Sequence, residues 1–189
     1  MPEDLDVKWL NNRGEIGATD RIGWGGRAAP GNLMNRNSSG TIRFRAQNDS
    51  TVCAIWHPGS IRSVSQGAQP PGFFDGHFAD ADEPLALKEG HEALVLHFET
   101  SITAFGVDVD FARGDPGNVY DVAVEVSDHP QLHWMSLSRA NVPADATVFC
   151  GARGNGPVCF DWITIWVFRH GVNGVDPVNF AINSIDIAV

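Results

Sequence analysis

Basic residues are scarce in this chain: 13 Lys and Arg stand against 23 Asp and Glu, a net charge of −10 over 189 residues. A field of that sign repels a phosphate backbone and an anionic bilayer surface, which argues against nucleic acid and acidic membranes as partners. Long apolar runs are lacking too, and none approaches the roughly 20 residues that a membrane-crossing helix needs. The opening Met1–Trp9 (MPEDLDVKW) is acidic and has no apolar h-region of the kind a secretory signal carries. The expectation is a protein that stays where it is made, or a mature form given a new Met. No stretch shows the period of an amphipathic helix over three turns. No GxSxG elbow and no Walker A loop exists, which disfavours nucleophilic and phosphoryl-transfer enzymes.

Cysteine is limited to three residues. Cys150 and Cys159 bracket CGARGNGPVC, whose Gly-Asn-Gly centre signals a turn. A hairpin there would bring the two sulfurs together as a disulfide, which would favour an oxidising compartment; the alternative is two free thiols. Cys53, inside VCAIW, reads as a buried small hydrophobe.

What the chain has in quantity is alternation. In Ser101–Phe111 (SITAFGVDVDF), Phe105, Val107, Val109 and Phe111 alternate with Ala104, Gly106, Asp108 and Asp110. Successive strand side chains point to opposite faces, so the pattern predicts one apolar face and one wet face. Gly40–Ala46, Ser50–Trp56, His91–Thr100, Val119–Val126, Leu132–Ser138 and Phe180–Val189 read as further strands, the last broken in phase near Asn183–Ser184 as a bulge would break it. Trp162–Phe168 (WITIWVF) is apolar on both sides, as a covered central strand is, and assigns Trp162 and Trp166 to the core. GDPGN at 114–118 is a turn expected to join the Phe105 and Tyr120 strands as a hairpin. Residues 57–90 are an excursion of the sort that carries binding on β scaffolds. The expected fold is all-β: a two-sheet antiparallel β-sandwich of jelly-roll type, one domain over 1–189, with 1–39 as a loop-rich N-terminal wrap whose Trp9 and Trp24 plug the core edge.

Three pieces carry a resemblance: DRIGWGG at 20–26, the block FFDGHFADADEPLAL…LVLHFETSITAFGVDVDF, and the ending FAINSIDIAV. They resemble the extracellular β-sandwich ectodomains of proteins with a PEP-CTERM sorting signal. In that group a "loading" segment precedes a strand of the form "pITaFGfdi", and the domain ends in "FaIdnl"; Ile102–Val107 and Phe180–Ile187 occupy those places here. The chain lacks the group's Pro-Glu-Pro motif, membrane span and basic tail, so surface sorting does not follow. The resemblance implies a secreted β sandwich associated with bacterial exopolysaccharide or the cell surface.

Four constellations bear on chemistry. Asp75, Asp80, Asp82 and Glu83 cluster in DGHFADADE, where carboxylates could hold a structural Ca²⁺ or simply be solvated, with Asp186 as a further candidate ligand. Asp108, Asp110, Asp121 and Glu125 would share a face if their strands pair, and carboxyls about 5–9 Å apart serve glycoside hydrolysis; the plain alternative is the wet face of a sheet. The histidines do not form a helix-borne metal pair: His91, Glu92 and His97 have the wrong spacing, and Pro130 follows His129. Trp56 and His57, Phe73 and Phe74, and Trp134 fall near strand ends or loops, where flat rings stack on sugar C–H faces while Asp and Asn take the hydroxyls. The expected function is therefore a non-catalytic extracellular module binding carbohydrate or exopolysaccharide through these residues, with homo-oligomers possible. The alternatives are a structural subunit of a surface layer or fibre assembling through edge strands, and a polysaccharide-degrading enzyme.

Overall fold

The structure is a computed structural model that describes residues 6–24, 34–63, 78, 84–88, 93–111, 119–128, 133–143, 147–171, 174–178 and 180–189, with backbone alone at 63, 88, 111, 133–143, 170–171 and 174–177. The described chain is strand throughout apart from one 3₁₀ turn, Arg13–Ile16, and connecting turns. Its strands form two antiparallel sheets. The first runs β1 (Val7–Leu10), β11 (Val148–Gly154), β8 (Ala104–Phe111), β14 (Phe180–Ile182), β6 (Leu85–Lys88) and β5 (Ser60–Ser63). Beside β8, in line with β14, lies β15 (Ile185–Ala188), which also pairs with β2 (Asp20–Ile22). The second runs β10 (His133–Pro143), β9 (Val119–Asp128), β12 (Phe160–Gly171), β7 (Leu94–Ile102), β4 (Val52–Trp56) and β3 (Ile42–Arg45), with β13 (Gly174–Pro177) on the end of β12. The two-sheet sandwich of jelly-roll type stands as expected, and consecutive strands change sheet at β2–β3, β4–β5, β6–β7, β7–β8, β8–β9, β10–β11, β11–β12 and β13–β14.

The core lies between the sheets and follows the period of two. Phe105, Val107 and Val109 of β8 meet Val122, Val124 and Val126 of β9 and Ile163, Ile165 and Val167 of β12 in one apolar cluster. The Phe105 and Phe160 rings join the layers edge to face, with centroids 6.1 Å apart. Full burial of each such side chain stabilises the fold by about 1.5–3 kcal/mol relative to exposure. Trp24 is buried at the core edge, edge-on to Phe44 at 5.7 Å, and Trp9 packs against the same core. The phase break expected near Asn183–Ser184 is the gap between β14 and β15, bridged by the Asn183 amide donating to the Asp108 carbonyl at 3.1 Å.

Two expectations are corrected. GDPGN does not close a hairpin: β8 pairs with β11, β14 and β15, whereas β9 pairs with β10 and β12 in the other sheet. A turn motif marks where the chain reverses, not which neighbour it finds. The outer face of β8 is not wet either. Ala104 packs under Leu10, Ile16, Ala188 and Phe149, and Gly106 and Asp110 are buried beside it. Across this cover, Arg13 pairs with Asp108 (2.7 Å) and with Asp186, and Arg21 holds the other Asp186 oxygen at 2.6 Å. Both Asp186 carboxylate oxygens are thus engaged by guanidiniums.

Gly106 is needed for this cover. A Cβ there would lie 2.5 Å from Phe149 Cζ and closer still to Ile16 Cδ1. Gly106→Ala should therefore cost about 1–3 kcal/mol, as overpacking does, and lower the urea midpoint; an unchanged midpoint would contradict the packing.

Asp20 ties the N-terminal strand to the β3–β4 turn. Its carboxylate accepts from the Arg21 amide (2.7 Å), the Asn48 amide (2.9 Å), the Ser50 amide (3.3 Å) and the Ser50 hydroxyl (2.6 Å). Burial alone would raise its pKa, but these four donors outweigh it and hold the carboxyl below its usual value. A depressed value stabilises the fold above the unfolded pKa, and that contribution is lost as pH falls through the folded one. Asp20→Asn should be less stable than the parent at pH 7, with the gap in denaturation midpoint shrinking as pH drops below about 4. A gap independent of pH would rule this out.

Candidate functional site: the outer face of the second sheet

On β12, Ile163, Ile165 and Val167 turn inward, which sends Trp162, Thr164, Trp166 and Phe168 to the opposite side. The expectation that Trp162 and Trp166 fill the core is corrected accordingly. Both are half-buried on the outer face. An apolar run on both sides looks alike in sequence whether its second side is covered or bare.

Register builds the face around them. Trp162 lies opposite His97 of β7 and Ser127 of β9. The His97 and Trp162 rings are in contact, with centroids 4.9 Å apart and planes 41° to each other. Thr164 lies opposite Val95 on one side and Glu125 on the other, and Trp166 lies opposite Ala123. Trp56 of β4 sits opposite Val95 and is 37% exposed. Trp134 of β10 pairs with Ser127, a register position in the Trp162 row. Directly opposed residues are about 4.5–5.5 Å apart at Cβ and diagonal ones about 7–8 Å, within reach of aromatic side chains. Glu125 therefore has Thr164 across from it and the two indoles on its diagonals.

Among the described residues, the polar centre of this face has no side-chain partner. Thr164 is only 6% exposed, flanked two residues away on each side by an indole, and its hydroxyl has no hydrogen-bond partner among the described residues. The Glu125 carboxylate likewise has no hydrogen bond or ion pair among them. Burial pushes its pKa up. Among the described residues, the arginines of the face lie on the outermost strand, β3, and are engaged: Arg43 with Glu99, and Arg45 with Asp49 at 3.5 Å. Buried polar groups in a folded protein are normally paired, so an unpaired acceptor and hydroxyl between aromatic rings can accommodate a ligand with its own donors.

The sequence-predicted residues distribute unevenly. Trp56 belongs to this face, and the Trp134 backbone holds a register position beside it. His57 does not: the alternation that turns Trp56 outward turns His57 inward, where it is 1% exposed and its Nδ1 accepts from the Gly59 amide at 3.1 Å. Phe73 and Phe74, and the proposed cation ligands Asp75, Asp80, Asp82 and Glu83, lie outside the described residues. Cys150 and Cys159 are not joined in a disulfide. Cys150 is buried on β11 in the first sheet, Cys159 is exposed just before β12 in the second, and the intervening turn passes between layers instead of closing a hairpin. Cys53 is buried as expected, and burial raises its thiol pKa, partly offset by a backbone hydrogen bond from His97. The four carboxylates proposed to share a face are split: Asp108 and Asp110 are on the first sheet, Asp121 and Glu125 on the second.

Sequence reasoning missed Trp162 and Trp166 as surface groups. The available signal was Thr164, a polar residue in phase with the two tryptophans and out of phase with Ile163 and Ile165.

A raised carboxyl pKa means that the fold disfavours the ionised form of Glu125. The penalty is absent below the unfolded value of about 4.3 and complete above the folded one. Glu125→Gln should accordingly melt higher than the parent at pH 7, with the difference vanishing below about pH 4. A variant that melts lower at pH 7 would show that the carboxylate is instead stabilised.

No protein-family model matches the chain, and no curated protein does. Among solved structures it is similar to a point mutant of a family 29 carbohydrate-binding module, with a TM-score of 0.35 at 14% identity over 67% of this chain and 90% of that one. A second family 29 module, a mutant complexed with mannohexaose, gives 0.35 at 12% identity over 69% and 93%. A DUF4465 family protein from Bacteroides caccae gives 0.45 at 10% identity, covering 96% of this chain and 99% of that one. At this distance none of the three assigns a role to a residue here.

Proposed function

We propose that the protein is a non-catalytic, extracellular carbohydrate-binding module whose ligand lies on the outer face of the second sheet. The observation that carries this reading is the joint presentation of Trp56, Trp162 and Trp166 around Glu125 and Thr164, whose polar groups lack partners among the described residues. Indole faces cover the C–H surface of a pyranose ring, and the carboxylate and hydroxyl take its hydroxyl groups. That combination of a large apolar surface with a few placed polar groups is the general form of a small-molecule site. Binding is assigned to a sheet face and not to the loop residues Phe73 and Phe74. The degradative alternative loses its proposed machinery, because Asp108 and Asp110 are in a different sheet from Asp121.

Affinity electrophoresis of the full chain in gels containing polysaccharide tests the reading. At least one polysaccharide should retard the parent, and Trp162→Ala or Trp166→Ala should weaken retention by about tenfold or more, as loss of a central aromatic anchor does. Equal retention of parent and both variants would overturn the assignment.

A further inference from the structure

We infer that this face selects an uncharged glycan chain several sugars long over an acidic one, with Glu125 as its specificity-determining acceptor; this rests on the carbohydrate reading above. Chain length follows from spacing. Trp162 and Trp166 are four residues apart on one side of a strand, about 13 Å at roughly 3.3 Å per residue. Two stacking platforms at that separation engage different rings of one chain, with Thr164 and Glu125 between them.

Charge decides the class. Among the described residues, the carboxylates at the aromatic part of the face include Glu125 and, farther along β9, Asp121 opposite Phe168. The nearest arginines on the face, Arg43 and Arg45, belong to the far strand and are engaged by Glu99 and Asp49. A uronate or sulfate ester set between the indoles would bring a second negative group beside Glu125, where the described arginines of the face are already engaged, inside a protein of net charge −10. A neutral ring brings hydroxyl donors instead. These satisfy an acceptor-only carboxylate and the unpartnered hydroxyl of Thr164, which is 6% exposed. A hydrogen bond to a charged group is worth more than a neutral one, so Glu125 discriminates and does not merely border the site.

The test uses the full chain in gels containing a neutral polysaccharide (mannan, xylan or a soluble β-glucan), a polyuronate (alginate or polygalacturonate), or the polyamine chitosan. Each is run between about 0.05 and 0.5 M NaCl, a range over which exposed ionic attraction is screened out. The expected result is retention by a neutral polysaccharide, little changed by salt, with none by the polyuronates. Glu125→Ala, shown folded by its melting curve, should weaken that retention about tenfold, the cost of one charge-assisted hydrogen bond. Retention mainly by polyuronate or by chitosan, or a Glu125→Ala variant that binds as the parent does, would overturn this inference while leaving the carbohydrate reading intact. Failure of all three polysaccharide classes to retain the parent would overturn both.

Discussion

The inner side of β12 governs what its outer side can be. Ile163, Ile165 and Val167 must lie against the first sheet, where Phe105, Val107 and Val109 face them, because together these residues form the core between the layers. A strand has only two sides, so burying these three obliges Trp162, Thr164 and Trp166 to face away. The same requirement acts on the neighbouring strands. Leu94 and Leu96 point inward on β7 and put Val95 and His97 outward; Val124 and Val126 do the same on β9 and put Glu125 outward. The aromatic face is thus a consequence of core packing, and no loop has to be placed for it to exist.

The two outer faces of the sandwich have opposite fates. That of the first sheet is covered in its β8 region by the N-terminal segment: Leu10 and Ile16 lie over Ala104 and Gly106, and Arg13 and Arg21 neutralise Asp108 and Asp186. Among the described residues, the carboxylates of that cover, Asp108 and Asp186, already have protein partners. On the second sheet, Glu125 and Thr164 lack one among the described residues. The acid is held where burial disfavours its charge, so the site gives up some stability to keep an acceptor between two rings. Such conflicts between local stability and fold are concentrated where proteins bind.

How much of this was legible in the sequence depended on whether a pattern determines its own neighbours. Alternation at Phe105–Val109 and Tyr120–Val126 identified strands and their core sides, because one side of each is polar or small enough to fix the phase. Alternation is silent on pairing, which is why two strands joined by GDPGN were assigned to one hairpin although the chain carries them to different layers. The same silence placed Cys150 and Cys159 across a hairpin. At WITIWVF both sides are apolar, so phase was visible but the identity of the buried side was not; the packing against Phe105 and Val107 settles it. The coverage of the Asp108 side by Leu10 and Ile16 is a contact between residues almost a hundred positions apart, beyond any local rule.

The most direct test is the response of the tryptophan indole N–H signals, once assigned, to a neutral oligosaccharide titrated into ¹⁵N-labelled protein. The chain has six tryptophans, and Trp24 lies buried in the core at 1% exposure as an internal control. The account predicts progressive shifts at Trp56, Trp162 and Trp166 with Trp24 unmoved. Signals from Trp162 and Trp166 that stay fixed while the sugar demonstrably binds would contradict it.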